Sequence, residues 1–453
     1  MSRGFESHTL RCKEGRSLRT EGPHPREDPV SQTTTKPARR GRRPLARHGS
    51  LKSPHPLSFL LKVVGVMVAV VLVSGFGVAA YALTDLTTSY VDDAVELEGQ
   101  DSVPPDIGAI ETGVDLLIVG TDECEPQFAG YFGARCTGAD AGGQLNDVNM
   151  LVHISNNPRR VTVVSFPRDL MIPIPSCTRE DGSTTSEMSK QQINSAWSYG
   201  GLSCVAKTIS ALSGQSIPFA AKVSFGNVIN ITDAIGGVEV CIGNGGIRDR
   251  YTNIDWPAGP RNVQGIEALQ FLRTRHGLQN GSDLARISNQ QQYMSRLARK
   301  LVSEEVLTDL PTLYKLAATA VDNVTPSQTL TNPLTLVQIA LAVKDVPFDE
   351  MVFLQYPVNA DPADNNRVVP NYAAAEEMWA AIAANVPLKV TNDPNRGGGV
   401  ITVEPSAPAE PAPTPTPGST EAPPPAETAV ELPNSIPGTT AADETCSAGN
   451  LRG

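Results

Sequence analysis

The chain has 453 residues, 40% of them hydrophobic, enough for one large core or two moderate ones plus tails. Its formal net charge is −11, yet residues 1–62 carry 14 Lys/Arg against 5 Asp/Glu, so the remainder is more acidic than the whole. That acidic globular part excludes the usual nucleic-acid binder, whose footprint is a basic patch, and no nucleic-acid partner is expected.

Residues 1–56 are rich in Arg, Pro, Ser and Thr without apolar periodicity, and read as a disordered, basic cytoplasmic segment. A transmembrane helix is predicted over 57–83. Its apolar run, Val63–Leu83, is 21 residues without a charge, enough to cross a hydrocarbon core of about 30 Å. Arg39, Arg40, Arg42, Arg43, Arg47, Lys52 and Lys62 precede it, and Asp85, Asp92 and Asp93 follow. The positive-inside rule then puts the N-terminus in the cytoplasm and the main domain outside. The run is too long, and begins too far along the chain, for a cleaved signal peptide. Residues 84–110 read as an extracytoplasmic stalk.

The folded region, 111–395, opens at Val114–Val119, a continuous apolar run of the kind buried strands have. Met150–Ile154 and Val161–Phe166 are the next strands, with Asn156-Asn157-Pro158 as turn residues between them. Cys204–Leu212 is predicted helical, Ala220–Phe225 and Val238–Cys241 extended, Ile266–Thr274 and Leu284–Leu301 helical. Ser282 is the expected N-cap of the last. Apolar-periodic segments at Pro333–Val343 and Tyr372–Ala384 complete the core. Strands alternating with helices predict a layered α/β domain. From 396 to 453 the chain is rich in Pro, Ala and Thr, and a disordered tail is expected.

Of seven cysteines, Cys12 falls on the cytoplasmic side and six fall outside, where disulfides persist. Cys124–Cys136, closing a short loop, is the first expected pair and Cys177–Cys204 the second. Cys241 and Cys446 remain, and the sequence leaves their pairing open.

The chemistry rests on Asp and Arg residues at predicted strand ends and loops. Asp122 follows the first strand, Asp147 precedes the second, and Arg168 and Asp169 follow the third. Arg273 and Arg275 share one segment, with Asp283, Arg286 and Gln290 beyond. Carboxylates at neighbouring strand ends can converge at one sheet edge, where α/β folds place their sites. Two carboxylates suit Mg²⁺, which prefers oxygen ligands, and arginine suits phosphate through its planar fork. Together they suggest a metal-bound diphosphate. Each feature also has an ordinary structural reading, as a turn aspartate or a local ion pair. No Gly-x-Ser-x-Gly elbow, P-loop or Cys-x-x-Cys is present. His153 reads as structural, His276 as a polar loop residue, and Trp197 and Tyr199 as core packing.

The order VDLLIVGTD, NDVNMLVHI, VTVVSFPRDLMIPIP, QINSAWSYGG, DAIGGVEV, GIEALQFLRTRH and GSDLARISNQQQYM resembles the LytR-CpsA-Psr family over residues 111–300. The cysteine-bearing loop and the Pro-rich tail are similar to actinobacterial members. The resemblance implies a three-layer α/β/α domain with a central mixed sheet and a hydrophobic pocket for a lipid chain. It implies a phosphotransferase that moves a glycopolymer from a polyprenyl diphosphate carrier to a peptidoglycan acceptor. Carried over by motif, Asp122 and Asp147 would hold Mg²⁺. Arg168, Arg273, Arg275 and Arg286 would grip the phosphates and Gln290 would hydrogen-bond to them. Arg168, Asp169, Arg275 and Asp283 are the expected catalytic set, with the two aspartates orienting arginines or one acting as base. Leu145 and Asn289 stand where the family usually has arginine, and Arg135 is a nearby replacement. Those departures keep open a non-catalytic envelope protein that binds polyprenyl-diphosphate lipids. A third reading, a regulator whose basic N-terminus contacts DNA or another cytoplasmic partner, is disfavoured because that segment is short and lacks a helix-turn-helix pattern.

Overall fold

The computed structural model describes residues 94–100, 113–132, 136, 145–243, 245–303, 310–391, 398–403 and 429–450. The predicted cytoplasmic segment and transmembrane run, most of the stalk, and Arg135 lie outside the described residues. Within them, no helix is long and apolar enough to cross a membrane.

Eleven strands build two sheets: β1 (Val114–Thr121), β2 (Asn146–Ile154), β3 (Val161–Phe166), β4 (Phe219–Ser224), β5 (Val238–Ile242), β6 (Gly259–Val263), β7 (Thr325–Pro326), β8 (Met351–Gln355), β9 (Val400–Thr402), β10 (Gly438–Thr440) and β11 (Thr445–Ser447). The principal helices are α1 (Ala196–Ser213), α2 (Phe225–Ala234), α3 (Gly265–Arg273), α4 (Asp283–Leu301), α5 (Leu310–Asn323), α6 (Pro333–Lys344) and α7 (Tyr372–Ala383). The large sheet runs β7-β4-β1-β2-β3-β8-β10. It is mixed: β1 pairs parallel with β4, and β3 with β8, while β2 lies antiparallel between β1 and β3.

Alternation along β1 explains the layers. Leu117 and Val119 face a core shared with Leu202, Val205 and Ile209 of α1 and Met378 and Ile382 of α7. Ile118, with Val148, Met150 and Val152 of β2, faces the other way, toward Met294 and Ala298 of α4 and Ile339 and Val343 of α6. A sheet apolar on both faces must be covered on both, and so gives three layers. The expected strands and helices are all present, with ends shifted by a few residues. The largest shift is in α1, which begins eight residues earlier than Cys204, at Ala196, and is broken at Gly200–Gly201, where Gly201 has φ +62°. Trp197 and Tyr199 pack against the core, as expected of them. His153 is buried, with Nδ1 3.0 Å from Asp115 Oδ1 on the neighbouring strand, a structural pairing.

The C-terminal expectation needs correction. Residues 398–403 and 429–450 are not a free tail. β10 pairs with β8 at the edge of the large sheet, and β11 lies between β5 and β9 in a second sheet ordered β6-β5-β11-β9. Among the described residues three cysteine pairs are bonded in the structure, Cys124–Cys136, Cys177–Cys204 and Cys241–Cys446, the last a pairing the sequence left open. The physical reason is burial. Ile436, Ala441, Cys446 and Ala448 are core residues, too few and too scattered among Thr, Ser and Pro to give a periodic signal.

Candidate functional site

The site forms where β1 and β3 end and β2 and α4 begin. The register of β1 with β2 slips between Gly120 and Thr121, pairing Gly120 with Val148 but Thr121 with Asn146. Asp147 is thus the extra residue of a β-bulge, a device that re-aims a side chain out of the regular pleat. Arg168, just beyond β3, donates from Nη1 to Asp147 Oδ1 at 2.9 Å. Its Nε lies 3.5 Å from Asp283 Oδ1 and 3.7 Å from Asp169 Oδ2. Asp283, at the first turn of α4, also meets Arg286 Nη2 at 2.5 Å. Ser282 caps the helix by accepting from Ala285 N at 3.0 Å, which fixes the start of α4 and so the place of Asp283.

One arginine among three carboxylates sets the electrostatics. Burial opposes the charge on Arg168, but Asp147, Asp283 and Asp169 outweigh it and hold the guanidinium protonated more firmly than usual. Burial pushes the Asp283 carboxyl upward, with Arg286 and Arg168 working against the rise. Asp169 is tied on its other side, where Oδ1 accepts from Arg367 Nη1 at 2.7 Å and Gln192 Nε2 at 2.9 Å. Asp122 Oδ1 accepts from Leu145 N at 2.9 Å, and Leu145 O accepts from Asp122 N at 3.1 Å. At Leu145 it is therefore the backbone that engages the site, while the side chain is exposed.

The structure brings Asp147, Arg168, Asp169, Asp283 and Arg286 together. It places the other predicted residues around them. Arg273, last residue of α3, has its guanidinium 4.9 Å from the Phe132 ring and 5.9 Å from that of Phe225. Arg275 Nη2 lies 3.1 Å from His276 Nε2 in the loop between α3 and α4. Gln290 donates to Leu272 O at 2.9 Å, linking α4 to the end of α3. Asn289 is fully buried, donating to Phe271 O at 3.0 Å and accepting from Ser447 Oγ at 2.6 Å. The asparagine thus packs against β11 through its hydrogen bond to Ser447.

An apolar cavity of about 220 Å³ lies between the sheet and helices α2 and α4, walled by Ile118, Met150, Phe225, Tyr293, Met294 and Leu297. Val148, next to Asp147, and Gln290, one turn beyond Arg286, also line it. Tyr293 reaches Thr232 Oγ1 at 3.1 Å, and burial pushes its hydroxyl up to about 12.

Sequence reasoning missed Asp249, Gln192 and Arg367. Asp249 Oδ2 accepts from Thr274 Oγ1 at 2.8 Å and from Arg275 N and Gly277 N, each at 3.1 Å; Oδ1 accepts from Tyr251 N at 2.9 Å. Burial opposes its charge, but those hydrogen bonds prevail and hold the carboxyl below the usual range. Asp249 therefore fixes the loop that carries Arg275. Asp249→Ala orphans these donors at ~1–3 kcal/mol for each one left buried, and urea unfolding should record the loss. The sign follows from the lowered pKa. The stabilisation is complete above about pH 4, the ordinary carboxylate value, and is lost as pH falls through the lower folded-state value. The gap between parent and variant should therefore stay constant from neutral pH to about 4 and close only below it.

The structure thus defines a layered α/β domain with an arginine–carboxylate cluster beside an apolar cavity. The sequence model of the LytR_cpsA_psr family matches residues 82–384, and the chain belongs to that family. It is 26% identical over 336 residues to the cell wall biosynthesis protein LcpA of Corynebacterium glutamicum, covering 70% of this chain and 63% of LcpA, under two thirds of that relative's length. It is 23% identical over 258 residues to the polyisoprenyl-teichoic acid–peptidoglycan teichoic acid transferase TagU of Bacillus cereus, covering 56% of this chain and 73% of TagU. Among solved structures, the LytR-Csp2A-Psr enzyme from Actinomyces oris superposes with a TM-score of 0.47 and 20% identity, over 64% of this chain and 95% of that one.

Proposed function

We propose that this protein is a phosphotransferase that moves a glycopolymer from a polyprenyl diphosphate carrier to peptidoglycan. The observation that carries the reading is Arg168, set among Asp147, Asp169 and Asp283 beside an apolar cavity, in a member of this family. Among relatives, TagU is by name a transferase of teichoic acid between a polyisoprenyl carrier and peptidoglycan. The cavity takes the near end of the prenyl chain. Arg168 and Arg286 face the diphosphate, and Arg275 approaches from its loop.

In the step proposed, an acceptor hydroxyl attacks the phosphorus that carries the glycan. A phosphorus–oxygen bond forms to the acceptor and the bond to the bridging oxygen breaks. Polyprenyl phosphate leaves with that oxygen, and the hydroxyl proton passes to Asp169 or Asp283. Arginines aimed at the phosphates stabilise the charge that develops on the leaving group. Asp147, near the start of β2, and Asp122, just after β1, would hold a magnesium ion, since carboxylate oxygens are the donors that ion prefers. Among the described residues no group of three or more His, Cys, Asp or Glu gathers as a metal site. When bound, Mg²⁺ would neutralise diphosphate charge. The basic N-terminus and Val63–Leu83 support a single-pass anchor that keeps the domain on the outer face, where a lipid-linked donor lies.

The test is direct. Full-length protein in micelles, given a synthetic polyprenyl-diphosphate glycan, peptidoglycan fragments and Mg²⁺, should release polyprenyl phosphate and form a phosphodiester, and a chelator should stop both. Donor binding without release, with acceptor present, would sink the transferase reading and leave a lipid-binding envelope protein.

A further inference from the structure

A second cavity, also of about 220 Å³, opens on the surface beside the Arg275 loop. Tyr131, from a short helix over Ala129–Phe132, and Tyr251, from a turn after Asp249, line it, and the two residues are 60% and 64% exposed. Between them lie Thr252, Asn253, Gln270 and Arg273. Exposed apolar surface gathered in one place marks an interaction site more often than the same residues scattered singly, and here two exposed rings line one cavity. Here two are held in place. Tyr131 sits in the loop closed by the Cys124–Cys136 disulfide. Tyr251 packs on His276 with ring centroids 4.5 Å apart, its hydroxyl 3.1 Å from Arg250 Nη2, its backbone N–H bonded to Asp249.

One polar group of the cavity lacks a partner. Thr252 Oγ1 is buried with no hydrogen-bond partner among the described residues. A buried hydroxyl left unsatisfied costs free energy unless something else completes it. Gln270 and Asn253 add amide donors and acceptors. Aromatic faces with planar polar side chains between them match a sugar ring, which is apolar on its C–H faces and polar around its rim. The cavity is smaller than the roughly 300 Å³ where drug-sized pockets begin, so it suits one ring with the rest of the chain running over the surface.

We propose that the cavity between Tyr131 and Tyr251 is a carbohydrate subsite that seats one ring of a glycan next to the Arg275 loop. The source of that glycan, the carried polymer or the acceptor strand, rests on the transferase reading. The chemistry of recognition is the same for both.

Full-length protein should be titrated with two probes, followed by saturation-transfer NMR. One is peptidoglycan glycan strands stripped of peptide. The other is a hexose polymer without amino sugars. At least one should bind, and Tyr131→Ala should weaken it roughly three- to tenfold, the size of one lost ring contact. Tyr251→Ala should weaken it by a similar factor. Binding of the first probe assigns the acceptor, and of the second the carried polymer. If neither probe binds the parent, or Tyr131→Ala binds as the parent does, the subsite is refuted. Binding needs no turnover, so the two readings fail separately. Glycan binding without polyprenyl phosphate release removes the transferase alone, and release with tyrosine-insensitive binding removes the subsite alone.

Discussion

Arg168→Ala should lower polyprenyl phosphate release by roughly 100- to 1,000-fold, the usual effect of removing one preorganised donor to developing charge. The expectation comes from position. Arg168 is the common partner of Asp147, Asp169 and Asp283, so its loss leaves three carboxylates facing one another at the phosphate end of the site. Breaking a buried pair by removing one partner costs ~3–5 kcal/mol, and Arg168 is about a quarter exposed, so the lower end applies. A fall in stability alone does not explain a lost rate, so the decisive comparison is Arg168→Lys. Lysine keeps the charge but not the planar fork that a diphosphate and several carboxylates require. Release should stay well below the parent in a protein whose thermal transition is nearly restored. Parent-like release by either variant would show that the phosphates are held elsewhere.

The largest effect on stability should follow removal of the C-terminal segment. A chain ending before residue 429 loses β10, β11 and the Cys241–Cys446 bridge. It also loses Glu444, which pairs with both Arg296 and Arg299 of α4 at 2.6 Å, and the Ser447 hydroxyl that satisfies buried Asn289. The backbone of residues 448–450 hydrogen-bonds to residues 277 and 279, beside Arg275. Loss of a native disulfide alone typically costs ~2–5 kcal/mol, and the orphaned strand edge and cations add to it. The truncated chain should fail to give a cooperative thermal transition. Cys446→Ser, which keeps the strands, should still unfold cooperatively but at lower temperature. A truncated chain that melts like the parent would mean that the segment only decorates the surface.

The sequence made the central sheet readable because β1 and β3 are continuous apolar runs, as strands covered on both faces must be. Ser282 marked the start of α4 through its capping chemistry. Asp147, Arg168, Asp169, Asp283 and Arg286 were legible as strand-end and helix-start residues, and they do meet. Arg367 was not, because it reaches Asp169 across 198 residues and no local pattern announces such a pairing. Asp249 looked like any aspartate before a turn, and only the fold reveals that four donors converge on it. The C-terminal strands escaped because each is three residues long and follows a proline-rich stretch. Burial there is decided by partners distant in sequence rather than by periodicity.

Asn289 ties the last of these points to the site. It takes a position where charge would be expected and uses it for packing against β11. The Cys241–Cys446 bridge turns everything from Cys241 to Cys446 into a covalent ring, proline-rich stretch included. A peptidase that cuts the backbone once within 404–428 therefore opens the ring without releasing a fragment: both pieces stay joined through sulfur, and Ser447 remains beside Asn289. One such cut would leave a single covalent molecule.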